Sequence, residues 1–302
     1  MIRVPSPGTG SGNHGSDGTD DATGTRVHAR HVDHAGAVNT VALTRAALDA
    51  AHPLRRARWD RDWQRLEVSA ERGSLTVRAA GRTGARWDRL VTQELDEVVD
   101  AYLADPHLRV LVLRGGADFC AGLDLDEVGW GHTRVAGRHG FVGLTARDDL
   151  DKPVVAAVTG AAHDEGLEVL LACHVVLAAD DADLALTQPS RGLLAEHGGP
   201  ERLLRALGPA TAYDLALTGR HVDAHEALRL GLVSRVAPGA DLDDVLAEVV
   251  SQVLAQSPTS LRATLLAARG DATGIDEVTF SEDLLRATTA RQQGTDPEWS
   301  GV

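Results

Sequence analysis

The stretch Pro153-Val154-Val155-Ala156-Ala157-Val158-Thr159-Gly160-Ala161-Ala162-His163-Asp164-Glu165-Gly166-Leu167-Glu168-Val169-Leu170-Leu171-Ala172-Cys173-His174-Val175-Val176-Leu177-Ala178 decides the fold. Its first six residues are a short apolar run without polar alternation, as a parallel strand buried on both faces requires. A helix is predicted from about Glu165 to Cys173, and Val175–Ala178 is a second apolar run. Upstream, Arg109–Leu113 is another such strand, preceded from Arg89 to Leu103 by a helical stripe that Asp105-Pro106 ends. Strand, helix, strand, helix, strand implies right-handed crossovers and an α/β fold.

Further out, the pattern changes on both sides. Arg65–Ala79 alternates apolar and polar residues around Gly73, the signature of a β-hairpin. After Gly198 the chain reads as helical: Arg202–Leu207, Ala210–Leu217, Ala224–Leu230, Leu242–Gln256 and Leu261–Ala268. Residues 1–36 are rich in Gly, Ser, Asp, Thr and His and have almost no apolar periodicity, so they read as a disordered tail. Gly10-Ser-Gly12-Asn-His-Gly15 within it matches GxGxxG but lacks the strand and helix that a dinucleotide site needs. His28, His31 and His34 could ligate a metal only if they were helical, and a solvated tail is the favoured reading. Residues 37–65, with Trp59 and Trp63, read as a helical extension broken near Pro53. The expected division is therefore a tail 1–36, an extension 37–65, a core 66–205 and a helical region 206–302.

Composition narrows the function. The 302 residues include 30 Lys and Arg against 44 Asp and Glu, a formal net charge of -14, which repels nucleic acid and anionic membrane surfaces. Two cysteines, Cys120 and Cys173, are too few for a disulfide framework. No apolar run is long enough to span a bilayer, and the N-terminus has no signal-peptide core, so the cytoplasm is the expected location. No metal or resident cofactor is expected.

Three segments carry chemistry. Asp118-Phe119-Cys120-Ala121-Gly122-Leu123-Asp124-Leu125 follows the first buried strand; Asp151–Gly160 contains the second; Leu217-Thr218-Gly219-Arg220 continues through Ala224, Glu226-Ala227 and Gly231-Leu232-Val233. Taken in order, they resemble the crotonase (enoyl-CoA hydratase/isomerase) superfamily, whose patterns are F-x-A-G-x-D-[LI], K-P-V-I-A-A-V-N-G and L-T-G-x-x-x-x-A-x-E-A-x-x-x-G-L-V. The resemblance runs from about Leu66 to Ala268. It implies a ββα superhelix of stacked small sheets with a helical C-terminal trimerisation region. It also implies acyl-thioester chemistry on coenzyme A as carrier, and assembly as homotrimers or hexamers.

By position, the resemblance assigns the oxyanion-hole N–H groups to Leu123 and Glu165. Fixed donors aimed at an oxygen that gains charge on enolate formation stabilise it most when water is excluded. Gly122 permits close backbone approach. The family's three glycines are here Asp164-Glu165-Gly166, which places two carboxylates beside the hole. Glu168 coincides with the first catalytic glutamate, and its apolar flanks suggest a buried carboxyl with a raised pKa. The second family glutamate falls on Gln188, or on Ser190 after a register shift, and neither is a carboxylate. That disfavours simple hydration and suits a single-glutamate enolate enzyme. Alternatives are a cofactor-independent oxygenase, decarboxylase or hydrolase of secondary metabolism, or a catalytically silent partner subunit. His163 and His197 are further acid/base candidates. Asp124 is expected to cap a helix beginning at Leu125, and the loop Trp130–Phe141 to sense the acyl group. Lys152 is the single lysine, so Arg82, Arg86, Arg89 and Arg291 are the candidate partners for the coenzyme A, with a carrier-protein-bound acyl group as the alternative. Substrate contacts are expected at Gly122, Arg82, Arg86, Trp130 and Gly166.

Overall fold

A computed structural model describes Trp59 and residues 61–81, 85–124 and 136–299. The tail histidines, the GxGxxG match, most of the 37–65 extension, Arg82, Trp130 and the helix expected from Leu125 lie outside the described residues.

The predicted hairpin is present as β1 (Leu66–Glu71) and β2 (Ser74–Ala79), paired antiparallel from Leu66↔Ala79 to Glu71↔Ser74. Arg72 and Gly73 close it with φ 46° and 89°, the two positive torsions that a type I′ turn needs. Helix α1 (Arg89–Ala104) begins where the Asp88 side chain accepts the Val91 N–H, and it buries Val91, Leu95, Val98, Val99 and Tyr102 along one stripe.

Three apolar runs then form β3 (Val110–Arg114), β4 (Val154–Val158) and β6 (Val175–Ala179). They join a six-stranded sheet of order β1-β2-β3-β4-β6-β9, with β9 at Arg235–Ala237, in which every neighbouring pair except the β1–β2 hairpin is parallel. The sheet period sorts their side chains into two cores. Val110, Val112, Val155, Ala157, Leu177 and Ala179 pack on Leu242, Leu246 and Val249 of a later helix (Leu242–Leu254). The alternate residues, among them Leu111, Leu113, Val154, Ala156 and Val158, join the larger core with α1. Burial on both faces is why these runs show no polar alternation.

A second, three-stranded sheet is present, as stacked small sheets require, although its individual strands were not read from the sequence pattern. It consists of β5 (Ala161–His163), β7 (Asp183–Ala185) and β8 (Val222–Asp223), in the order β5-β7-β8. Stacked small sheets and helices give the expected α/β, crotonase-like architecture. Helix α2 (Glu165–Leu170) is shorter than predicted, and two terminal helices, Gly274–Thr279 and Glu282–Gln293, extend the helical end. No helix among the described residues is long and apolar enough to cross a membrane.

Residues 119–124 form the hinge of the site. Phe119 N donates to Thr159 O at 2.8 Å and Cys120 N to Ala161 O at 3.0 Å, while His163 N returns a bond to Cys120 O at 2.8 Å. On the other side, Trp87 N donates to Gly122 O and Asp124 N to Trp87 O, both at 2.9 Å. Gly166 packs into this seam. A Cβ there would overlap the Cys120 carbonyl oxygen and lie 2.9 Å from Cys120 Cβ. Gly166→Ala should therefore destabilise the fold by about 1–3 kcal/mol, whereas Gly116→Ala, with nothing within 4 Å, should be near neutral in the same urea titration.

Candidate active site

Helix α2 carries Glu165 and Glu168 into the interior, where both are buried. Glu168 is fully enclosed (0% exposed), and its Oε1 accepts N–H bonds from His197 at 2.8 Å and Gly199 at 2.9 Å. Those donors lie at the start of the helix Gly199–Leu207, whose unsatisfied N–H groups and dipole favour a carboxylate. A Cβ at Gly199 would meet Glu168 Cγ at 2.8 Å, so the approach requires glycine there. Burial nevertheless dominates and pushes the Glu168 carboxyl up to about 7, with the neighbouring Glu165 adding to the rise.

Gln188 Nε2 donates to the other oxygen, Glu168 Oε2, at 3.3 Å. The structure thus places Gln188 rather than Ser190 beside the glutamate; Ser190 Oγ bonds Thr187 O on an exposed turn. Gln188 Oε1 is buried and has no hydrogen-bond partner among the described residues.

The turn before α2 resolves what its two acidic side chains do. Asp164 adopts φ 56°, ψ −117°, a torsion pair suited to glycine that costs a substituted residue about 1–3 kcal/mol. Its carboxylate is buried. It accepts Thr187 N at 2.6 Å and Thr187 Oγ1 at 2.9 Å and pairs with Arg191, contacts that offset the strain. Glu165 is engaged differently. Its Oε2 accepts the Leu123 N–H at 2.8 Å, and the same carboxylate draws on the Glu165 N–H, so an internal acceptor engages both of the donors expected for a substrate oxygen. Burial raises the Glu165 pKa, while bonds from its own N–H and that of Leu123 favour the ionised form. A Cβ at Gly122 would lie 3.2 Å from both Asp164 Oδ2 and Glu165 Oε2, which leaves this seam little room for a larger residue.

The other candidates divide. Arg86 reaches the site edge, donating through Nη1 to Leu123 O at 3.2 Å. His197 contributes its backbone N–H to Glu168, while its ring stacks on Phe141 (centroids 5.2 Å apart) and burial lowers its pKa. Phe141, the end of the loop expected to sense the acyl group, is fully buried against Trp87. His163 points elsewhere: its Nε2 pairs with Asp183 Oδ2 at 2.7 Å, on the small sheet. Lys152 caps α1 by donating to the carbonyls of Tyr102, Asp105 and Leu108. Arg202 was missed from the sequence. It donates to His197 O and Thr145 O, and its charge favours ionised Glu168.

A family model described as enoyl-CoA hydratase/isomerase matches residues 88–295. The chain belongs to the enoyl-CoA hydratase/isomerase family. It is 34% identical over 234 residues to the carnitinyl-CoA dehydratase of Proteus mirabilis, covering 71% of this chain and 90% of the relative. Among solved structures, a probable enoyl-CoA hydratase/isomerase from Mycobacterium abscessus superposes with TM-score 0.73 at 29% identity, over 80% of this chain and all of that one. An enoyl-CoA hydratase from Mycobacterium tuberculosis gives 0.71 at 30% identity, over 79% and 99%.

A carboxyl whose folded pKa exceeds its unfolded value favours the fold as the neutral acid. The Glu168 contribution is thus complete below about 4.5 and is lost as pH climbs through about 7. Relative to Glu168→Gln, the wild type should lose roughly 3 kcal/mol across that window, measured as the difference in unfolding free energy at several pH values.

Proposed function

We propose that this family member forms and reprotonates an acyl-thioester enolate, with Glu168 as its single acid/base. The supporting observation is Glu168 itself, a fully buried carboxyl held by two backbone donors at a pKa near neutrality. At that pKa it can take a proton from carbon and return it at pH 7. The Leu123 and Glu165 N–H groups would share the thioester oxygen and stabilise the charge it gains. Isomerase- or lyase-type proton transfer suits this set better than simple hydration, because Gln188 is neutral and cannot activate water as a second base. Its open Oε1 supports a role in orienting a donor group of the substrate or a water.

Coenzyme A is the proposed carrier, supported by the carnitinyl-CoA and enoyl-CoA names of the relatives and by Arg86 at the site edge. No resident cofactor is invoked. The cytoplasm remains the proposed location. Assembly through the terminal helices is supported by apolar side chains left in solvent there: Phe280 is 85% exposed, Leu285 66% and Ile275 63%. A homotrimer or hexamer would cover them.

One observation favours a second reading, a catalytically silent subunit: the Glu165 carboxylate already holds the Leu123 N–H. The two readings diverge under mutation. For an enzyme, Glu168→Gln should lower kcat by roughly 10²–10⁴-fold while leaving the Kd of a non-reactive acyl-CoA unchanged. Removing the internal acceptor with Glu165→Gly should tighten acyl-CoA about tenfold, the equivalent of one charge-assisted hydrogen bond near 1.4 kcal/mol. If neither wild type nor Glu165→Gly binds any acyl-CoA in calorimetry, the silent-subunit reading prevails.

A further inference from the structure

His163, which the sequence reading placed at the acyl site, belongs to a different constellation. The second sheet brings three ligand-type side chains to one face. Asp183 opens β7 opposite Ala161 of β5, and His163 lies two residues further along β5. Asp183 also pairs with Asp223 of β8, and His221 lies two residues before it. Because strand side chains repeat every two residues, both offsets return the histidines to the face that carries Asp183. The distances agree: His163 Nε2 is 2.7 Å and His221 Nδ1 2.6 Å from the same Asp183 Oδ2. The rings meet edge to face with centroids 4.9 Å apart, and the three ligand atoms all lie within 4.8 Å of one another.

We propose that His163, Asp183 and His221 form a binding site for a divalent transition metal of the zinc type, a site outside the proposed acyl chemistry. Two imidazoles and one carboxylate make a donor set that zinc accepts, with nitrogen and oxygen about 2.0–2.2 Å from the ion. At tetrahedral angles such ligands stand about 3.3 Å apart. The two separations of 2.6 and 2.7 Å therefore widen by only about 0.6 Å, a small side-chain rotation, when an ion replaces the hydrogen bonds. In the unliganded arrangement, the facing nitrogen of each ring is hydrogen-bonded to Asp183 Oδ2. Metal binding selects the tautomer that carries its proton on the ring's other nitrogen, so that the facing lone pair becomes the ligand.

Access and charge also favour the site. The side chains are 21%, 39% and 54% exposed for His163, Asp183 and His221, a graded opening to solvent that leaves room for a fourth, water ligand. Neighbouring Arg220 is engaged by Asp214 and Glu226 and donates no hydrogen bond to Asp183. A second cluster of similar composition provides the contrast. Asp96, Asp100 and His139 also converge, but the Arg147 guanidinium already lies among them, 2.9 Å from His139 Nδ1 and 3.3 Å from Asp96 Oδ1 and paired with Asp100. A fixed cation fills that one, whereas among the described residues no Lys or Arg side chain is hydrogen-bonded into the small-sheet cluster. Binding would clamp all three strands of the small sheet at the residue preceding the Asp164–Glu165 turn.

The test uses the full chain stripped with a chelator, titrated with Co²⁺ and then with Zn²⁺. Wild type should develop the visible ligand-field bands of a four-coordinate Co²⁺ site, lose them on adding Zn²⁺, and show a higher Tm with either ion. His163→Ala combined with His221→Ala, and separately Asp183→Asn, should lose one equivalent of binding or weaken it at least tenfold, with unchanged far-ultraviolet dichroism. Histidines outside the described residues, including His28, His31 and His34, are present in every variant, so the difference reports the strand site. Identical Co²⁺ spectra and stoichiometry in wild type and variants, or no four-coordinate bands in wild type, would overturn the proposal. Acyl-CoA binding measured in parallel separates this result from that of the proposed enolate chemistry.

Discussion

The candidate site hangs on the backbone bonds that stitch residues 119–124 between Trp87 on one side and Thr159–His163 on the other. Main-chain bonds of this kind fix positions that side chains alone would leave soft, because each amide has one donor and one acceptor to place. Through them the Leu123 N–H is set against the first turn of α2, and Glu168 follows one helical turn later. The packing of Gly166 on Cys120 and of Gly199 on Glu168 sets how closely the three layers approach. The fold thereby buries a titratable group at a helix N-terminus instead of an apolar side chain.

Placing several acidic groups in one small volume requires that each find its own donors. Asp164 has Thr187 and Arg191, Glu168 has the amides of His197 and Gly199, and Glu165 has Leu123. The arrangement separates them by partner: one is tied to Thr187 and Arg191, one lies across the seam, and one enters the helix end. Glu165 and Glu168 still sense each other, since ionising one disfavours the other. A substrate oxygen that displaced the Glu165 carboxylate from Leu123 would therefore also change the proton affinity of Glu168.

Much of this was legible in the sequence, for physical reasons. The strands Val110–Arg114, Val154–Val158 and Val175–Ala179 are buried on both faces, and unbroken apolar runs record that directly. The hairpin and α1 show their one-sided burial as periods of two and of about four. The second sheet was not legible, because strands of two or three residues such as Ala161–His163 and Val222–Asp223 are too short to express a period. In the site, Glu168 was readable from its apolar flanks and motif position. The choice between Gln188 and Ser190 was not, since it turns on how a short 3₁₀ turn projects each side chain. Nor could sequence foretell that Asp164 and Glu165 part company, which depends on donors contributed by residues 23 and 42 positions away. His163 was assigned by adjacency along the chain, but its partners come from neighbouring strands.

Asp164 holds a backbone conformation that belongs to glycine, and it does so with a full side chain that has found other work. A site whose donors are main-chain amides keeps them when residues change, so such a turn can be re-lettered without being re-folded. Evolvability here would reside in the peptide bond, the one part of the site that substitution leaves in place.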